Sequence, residues 1–276
     1  MDKRIVSIKE LTFLIICGLS LLTSCSKDDT DDEQPPQKVT RWECILFGSY
    51  PANEVVSGNF NAVDDYALVE GDVITNATLY SQLEKAEWTD DDTEIGGKRY
   101  HRLNGAGAVT CSTNREQHYR WSDTGAWHYF AYAPIKWRIL KISGTKAVLL
   151  ADRMPDTCPF HDKDEDVNWS GSLLRQWLND DFLHRAFSEA ERNAIETTSV
   201  ENAPNASYGT NCGPDTQDRV FILSNKEVFA SPLAADYGFY AGSGVDDAAV
   251  LPALTVELTK AEWTVTTPVM STDIVQ

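Results

Sequence analysis

Residues 134–151 read PIKWRILKISGTKAVLLA and contain the clearest pair of strands in the chain. Ile135, Trp137 and Ile139 alternate with basic residues, which is the spacing of a strand with one buried face. Residues 145–151 form the second apolar run, and the Ser-Gly pair between the two runs favours a tight turn. The stretch therefore predicts an antiparallel hairpin.

Two amphipathic helices are predicted after this hairpin. Leu174, Trp177 and Leu178 are spaced at i, i+3 and i+4, so they share one face of the first helix, and Phe182 and Leu183 continue this apolar stripe. Ser188 opens a Ser-Glu-Ala-Glu capping box for the second helix, and we expect Ile195 on its inner face. A further strand is predicted at the apolar run that follows Arg219.

Upstream of the hairpin the elements are shorter. A strand at 45–47 is predicted to run into a turn at 48–51, a short helix is predicted over 77–87, and a Gly-Gly pair at 96–97 favours a second hairpin turn. Mixed short strands with interposed helices are typical of α+β proteins, so the sequence predicts a single α+β domain over residues 41–276.

The first 24 residues have the pattern of a removable export signal. Basic residues precede an apolar stretch over 11–22, which is shorter than the roughly 20 residues of a membrane-spanning helix. It ends Leu-Thr-Ser-Cys at Cys25, which resembles the lipobox of bacterial lipoproteins. The resemblance implies that Cys25 is acylated and becomes the new N-terminus, holding the protein to a membrane by its lipid. A plain secretory signal is the alternative.

An acidic run, SKDDTDDE, follows Cys25 and leads into the stretch QPPQ. Like charges next to prolines predict an extended, disordered tether over residues 25–40. The run also resembles the acidic signal with which some Gram-negative bacteria send lipoproteins to the outer face. We therefore expect an outer-membrane lipoprotein displayed on the cell surface, with a periplasm-facing location as the alternative.

The charge of the chain limits its partners. Its 276 residues include 42 acidic and 24 basic ones, for a formal net charge of −18. Nucleic acid is therefore not expected as a partner, because phosphate binding needs a basic face. Outside the signal and Cys25, four cysteines remain, and an oxidising compartment would allow three pairings among them. These are Cys44, Cys111, Cys158 and Cys212.

Five blocks along the chain form a recognisable series: 47–51 (FGSYP), 134–140 (PIKWRIL), 169–182, 186–188 and 215–227. The series resembles the widespread bacterial family known as domain of unknown function 6273, over about residues 45–230. Its most specific part is the block that begins at Trp169 and contains Trp-Leu-Asn.

The resemblance implies a secreted or surface lipoprotein without an assigned activity. Through a looser relation of the family to C-type lectin-like folds, it also implies a compact α+β domain with short antiparallel strands, two helices and long loops. Family members usually end in two further strand motifs, and residues 250–254 (VLPAL) echo the last of them only faintly. The terminal strands are therefore expected to be either diverged or missing through truncation.

Catalytic signatures are absent from the sequence: it contains no Gly-x-Ser-x-Gly, Walker or His-Glu-x-x-His motif. Asp162, Asp164 and Asp166 have the opening spacing of a calcium loop, but Val167 and Leu173 replace the glycine and the carboxylate that an EF-hand needs. A solvated acidic loop is expected there, with a looser calcium site as the alternative. We predict no catalytic residue, no metal site and no cofactor.

Four residues are candidates for ligand binding. Aromatic residues are concentrated over 118–132, and Trp121 and Trp127 are the best candidates for exposed rings, because Gly125 interrupts regular structure between them. Arg175 and Asn179 belong to the most specific family block, where a role in orienting neighbouring loops is the alternative.

These observations favour a non-enzymatic surface lipoprotein that presents loops to an extracellular glycan or protein. A secreted hydrolase or oxidase on a scaffold like that of formylglycine-generating enzymes is one alternative. A structural component of a surface assembly is the other.

Overall fold

The computed structural model describes residues 42–58, 73–104, 125–156, 158–204, 212–229, 232–239, 251–260 and 264–265. The predicted export signal, the lipidation site Cys25, the tether and Trp121 lie outside these residues. Within the described part of the chain, no helix is both long and apolar enough to cross a membrane.

The fold is a mixed α+β arrangement dominated by its sheet. The strands are β1 (Cys44–Val56), β2 (Val73–Thr75), β3 (Asp92–Ile95), β4 (Lys98–Leu103), β5 (His128–Ser143), β6 (Lys146–Ala151), β7 (Ile195–Glu196), β8 (Thr198–Val200), β9 (Thr216–Asp218), β10 (Val220–Ile222), β11 (Pro252–Glu257) and β12 (Thr264–Val265). The helices are α1 (Ala77–Glu84), α2 (Leu173–Trp177), α3 (Leu183–Ala186), α4 (Glu189–Ala194), α5 (Asn225–Phe229) and α6 (Leu233–Asp236).

Two long strands organise the main sheet. Its order is β10-β11-β6-β5-β1-β12, with β4 on the N-terminal half of β5, β3 beyond β4, and β2 parallel to the end of β1. The N-terminal half of β5 packs over a small core around Leu83 and Tyr129, and its C-terminal half over the large core around Trp137 and Phe182. The two ends of β5 therefore lie in different surroundings.

The predicted hairpins are confirmed. Ser143 of β5 pairs with Lys146 of β6, which leaves a two-residue loop with Gly144 at φ 62°. Gly96 and Gly97 connect β3 to β4 at φ 60° and 73°. In this second hairpin both central residues have positive φ, which is the conformation of a type I′ turn and matches the twist of the strands that it joins.

The predicted turn at 48–51 is wrong, because β1 continues through it to Val56. The pairing of β1 with β5 shifts register between Leu46 and Ser49 and again between Pro51 and Asn53. Bulges let a strand bend without ending. Gly48, at φ 70°, takes the left-handed backbone conformation that bends the strand here.

The two predicted helical segments are present, with one shift. A π-helical turn over Leu178–Phe182 joins α2 to α3, and the predicted stripe is buried at Trp177, Leu178 and Phe182. Ser188 forms the complete capping box of α4. Ile195 is buried as predicted but belongs to β7, so the helix ends one residue before it. The predicted helix over 77–87 is also present and ends at Glu84.

Residues 252–254 of the faint family echo lie in the interior of the sheet. Ala253 and Leu254 are fully buried in β11, which pairs with β6 on one side and with β10 on the other. A strand is therefore present at this part of the echo. Among the described residues, Cys44, Cys158 and Cys212 form no disulfide with one another, and Cys111 lies outside these residues.

Candidate ligand-binding surface

Trp127 lies on the surface directly before β5, with 37% of its area exposed. The guanidinium of Arg102 lies over its ring, 4.3 Å from the centroid. The two residues are brought together because Leu103 of β4 pairs with His128 of β5. A cation over an indole face is attracted by the ring electrons, so this contact holds the exposed ring in one orientation.

The ring of Trp88 also contacts this guanidinium. Its centroid is 5.0 Å from Arg102 Cζ. It stacks on Tyr129 of β5, with ring centroids 5.5 Å apart, and its Nε1 donates a hydrogen bond to the Leu83 carbonyl. The base of the arrangement is thus the small core. We call the surface formed by Trp88, Arg102 and Trp127 the aromatic platform.

The turn before β3 fixes the arginine of the platform. Arg102 Nε donates to Asp91 Oδ1 and Arg102 N to the Asp91 carbonyl, both at 2.9 Å. Asp90 and Asp91 have φ of 51° and 60°, a left-handed conformation that aspartate tolerates better than most residues. Since Asp91 neutralises Arg102, the platform combines two indole rings with a paired cation that contacts both.

A second polar group lies on β3, β4 and β5, on the face of β4 opposite to Arg102, because Asp92 pairs with His101. The Asp92 carboxylate accepts hydrogen bonds from Arg99, from His101 Nδ1 at 2.9 Å and from the Tyr132 hydroxyl at 3.0 Å. Burial alone would raise the pKa of Asp92, but the hydrogen bonds from His101 and Arg99 outweigh it and lower that pKa. Burial and the Asp92 charge raise the pKa of Tyr132, which keeps it protonated as a donor.

We expect Asp92→Asn to make the protein less sensitive to acid. A carboxyl with a lowered folded-state pKa contributes stability that is complete above the ordinary value of 3.8 and is lost as the pH falls through the folded-state value. The loss of unfolding free energy between pH 5 and pH 2.5 should therefore be smaller in the variant than in the wild type. Urea unfolding at a series of pH values measures this difference. Equal losses in both proteins would contradict a lowered pKa.

A histidine–glutamate pair follows Trp127 on the other face of the sheet, because His128 pairs with Leu103 whereas Arg102 pairs with Tyr129. His128 Nδ1 and Glu54 Oε1 are 2.6 Å apart. Arg102, the cation over the Trp127 ring, is itself paired with the Asp91 carboxylate. Chemically, the surface offers ring stacking edged by neutralised polar groups, which suits an uncharged ligand with hydroxyl groups.

Arg175 and Asn179 lie elsewhere and make internal hydrogen bonds. Arg175 Nε donates to Asp218 Oδ1 at 2.7 Å. The Asn179 side chain accepts from the Arg219 and Val220 amides and donates to the Val220 carbonyl. These contacts connect the helical segment to β9 and β10, which is the orienting role that was the alternative for both residues.

Trp88 and Arg102 were missed by the sequence analysis. Trp88 is separated from Trp127 by 39 positions, and only the pairing of β4 with β5 brings Arg102 between them. The one local signal was the alternation in β4 (KRYHRL), which places Arg102 and Tyr100 on the same side of that strand.

The acidic loop that begins at Asp162 is exposed, and its Glu165 lies 2.9 Å from His161 Nε2. Within the described ranges, no group of three or more His, Cys, Asp or Glu is arranged to hold a metal ion.

Comparison with known protein families gives a match to one segment of the chain. No curated protein and no solved structure matches the chain. One family model matches a segment that begins and ends later than residues 45–230, the range expected from the sequence blocks. The segment therefore includes β11 and leaves out β1 and β5. Residues 144–275 match the family model described as "Domain of unknown function (DUF6273)", and this match supports assigning that part of the chain to the family.

Proposed function

We propose that this protein is a surface-anchored lipoprotein whose domain binds an extracellular neutral glycan on the aromatic platform. The observation that carries the proposal is the Trp127 ring, which is exposed at the surface yet held by Arg102. Sugar rings have an apolar face that packs on aromatic side chains, and a ring held in place loses little conformational entropy on binding.

A neutral glycan fits the charges better than an acidic one. Arg102 is paired with Asp91, so the cation that lies over the Trp127 ring is already neutralised. The chain carries a formal charge of −18, which repels a polyanion at long range. A polyanionic ligand would therefore have to displace existing ion pairs against this repulsion.

The anchor and the non-enzymatic role belong to the same proposal. The lipobox-like sequence at Cys25 and the acidic run after it support attachment to the outer membrane and surface display. The bent pair of long strands β1 and β5, with helices packed on one half, supports a distant relation to C-type lectin-like folds. Protein recognition through the same tryptophan is the competing explanation, and the test distinguishes it.

We expect Trp127→Ala to weaken glycan binding by the full-length chain by roughly 30-fold or more. Removal of a stacked aromatic ring at the centre of a small binding surface costs at least about 2 kcal/mol, or roughly 30-fold in affinity. Glycan-array screening of the wild type identifies the ligand, and isothermal titration of both proteins with that ligand measures the loss.

Phe229→Ala is the matched control, because Phe229 is 42% exposed at the end of α5 and lies in the other half of the fold. It should bind like the wild type. Silence of the wild-type chain on the array together with capture of a protein partner through Trp127 would replace the glycan by a protein. Binding that survives Trp127→Ala would overturn the role of the platform.

A further inference from the structure

A pocket of about 200 Å³ lies at the other end of the molecule, between the sheet and helices α5 and α6. Its apolar wall includes Val148 of β6, Phe221 of β10 and Leu233 of α6. Val148 pairs with Lys141 near the C-terminal end of β5, whereas Trp127 precedes the N-terminal end of that strand. The pocket is therefore separate from the aromatic platform. It is smaller than the roughly 300–1,000 Å³ of sites for drug-sized ligands.

Tyr237 supplies an uncommitted polar atom to the pocket. The residue is only 8% exposed and lines the cavity. In the described part of the chain, its backbone carbonyl accepts from Trp42 Nε1 at 2.9 Å, but its hydroxyl makes no hydrogen bond with a protein group. The hydroxyl oxygen is not fully enclosed by the protein, so a ligand or water in the pocket can pair with it.

The described residues that line the pocket carry two carboxylates, Glu201 and Glu227, and one ammonium group, Lys226. Glu227 uses Oε2 to cap α5 through Ser224. Burial raises the pKa of Tyr237 to about 12, and the charges of Glu227 and Asp236 act in the same direction, although Asp236 is itself paired with Lys141 at 3.2 Å. At the mouth, Lys226 lies 3.3 Å from Glu201 and is therefore neutralised. A positive group is favoured in such a field.

We propose that this pocket binds a small organic cation, a primary ammonium group carried on a short apolar chain. The ammonium donates to the Tyr237 hydroxyl oxygen and to the Glu227 carboxylate. The apolar chain packs on Val148, Phe221 and Leu233. This site goes beyond the proposed glycan binding and does not depend on it.

Three probes of the same length test the charge preference: n-butylammonium, n-butanol and butyrate. Titration of the full-length chain at constant ionic strength should give an affinity for n-butylammonium about tenfold or more above that for n-butanol, since hydrogen bonds to charged groups are the stronger ones. Butyrate should bind more weakly than either. Equal affinity for the three probes, no binding of n-butylammonium, or tighter binding of butyrate would each overturn the proposal.

Variants then assign the binding to the pocket. Glu227→Gln should lower n-butylammonium affinity about tenfold, whereas Lys226→Met should raise it by removing a competing cation. Tyr237→Phe keeps the ring and removes the hydroxyl, and it should also weaken binding. Glu189→Gln makes the same charge change at the exposed start of α4 and should leave the affinity unchanged. Unchanged affinity in both Glu227→Gln and Tyr237→Phe would show that the cation binds elsewhere and refute the assignment.

Discussion

Asp218→Ala is expected to destabilise the folded protein by about 3–5 kcal/mol, the cost of breaking a buried ion pair from one side. The Asp218 side chain is fully buried and accepts hydrogen bonds from Arg175 Nε at 2.7 Å, Trp169 Nε1 at 2.9 Å and Thr216 Oγ1 at 2.6 Å. Alanine leaves the Arg175 guanidinium next to a cavity, with its main carboxylate partner removed. It also deprives the indole of Trp169 of one of its two acceptors.

Urea unfolding at neutral pH, followed by tryptophan fluorescence, measures this loss. Asp181→Ala removes the same chemical group from an exposed position in the π-helical turn, so it should change the unfolding free energy by no more than about 0.5 kcal/mol. A loss below about 1 kcal/mol in Asp218→Ala would contradict the central role of this carboxylate. The sequence block over 169–182, which contains Trp169 and Arg175, would then need another structural explanation.

Features decided within a few residues were predictable from the sequence. The capping box at Ser188 depends on a side chain three residues away, and the turns at Gly97 and Gly144 depend on the backbone freedom of the glycine itself. The burial of Trp177 and Leu178 followed from helical spacing, because one turn of an α-helix repeats every 3.6 residues whatever packs against it.

Features decided by contacts between distant residues were not predictable. Arg175 was a ligand-binding candidate because it belongs to the most specific family block, and only the fold shows that Asp218, 43 positions away, pairs with its Nε. The aromatic platform likewise needs α1, β4 and β5 together, so Trp127 was found and Arg102 was not. The continuation of β1 through 48–51 was missed because a Gly-Ser-Tyr-Pro sequence is typical of turns, and only the pairing with β5 keeps it extended.

Gly48→Ala is expected to destabilise the fold by about 2–5 kcal/mol, through two separate effects. An alanine at φ 70° is strained by about 1–2 kcal/mol. Its Cβ would lie 2.6 Å from the ring of Phe187 and 2.7 Å from the Ala186 carbonyl oxygen, and such overpacking typically costs a further 1–3 kcal/mol. The Gly48 amide also donates to Glu191 Oε1 at 3.1 Å, so a shift of the strand would weaken its connection to α4.

Gly144→Ala separates the two effects, because Gly144 has φ 62° but a Cβ there meets nothing within 4 Å. Urea unfolding should show only the backbone strain in Gly144→Ala, and the difference between the two variants is the cost of the close approach at Gly48. Phe187→Leu combined with Gly48→Ala should recover part of that difference, while the contact with the Ala186 carbonyl remains. Equal losses in Gly48→Ala and Gly144→Ala would mean that α3 moves away at little cost. In that case Gly48 would be required in β1 for its backbone conformation alone, and the Phe-Gly-Ser-Tyr-Pro block would not depend on the helix that packs against it.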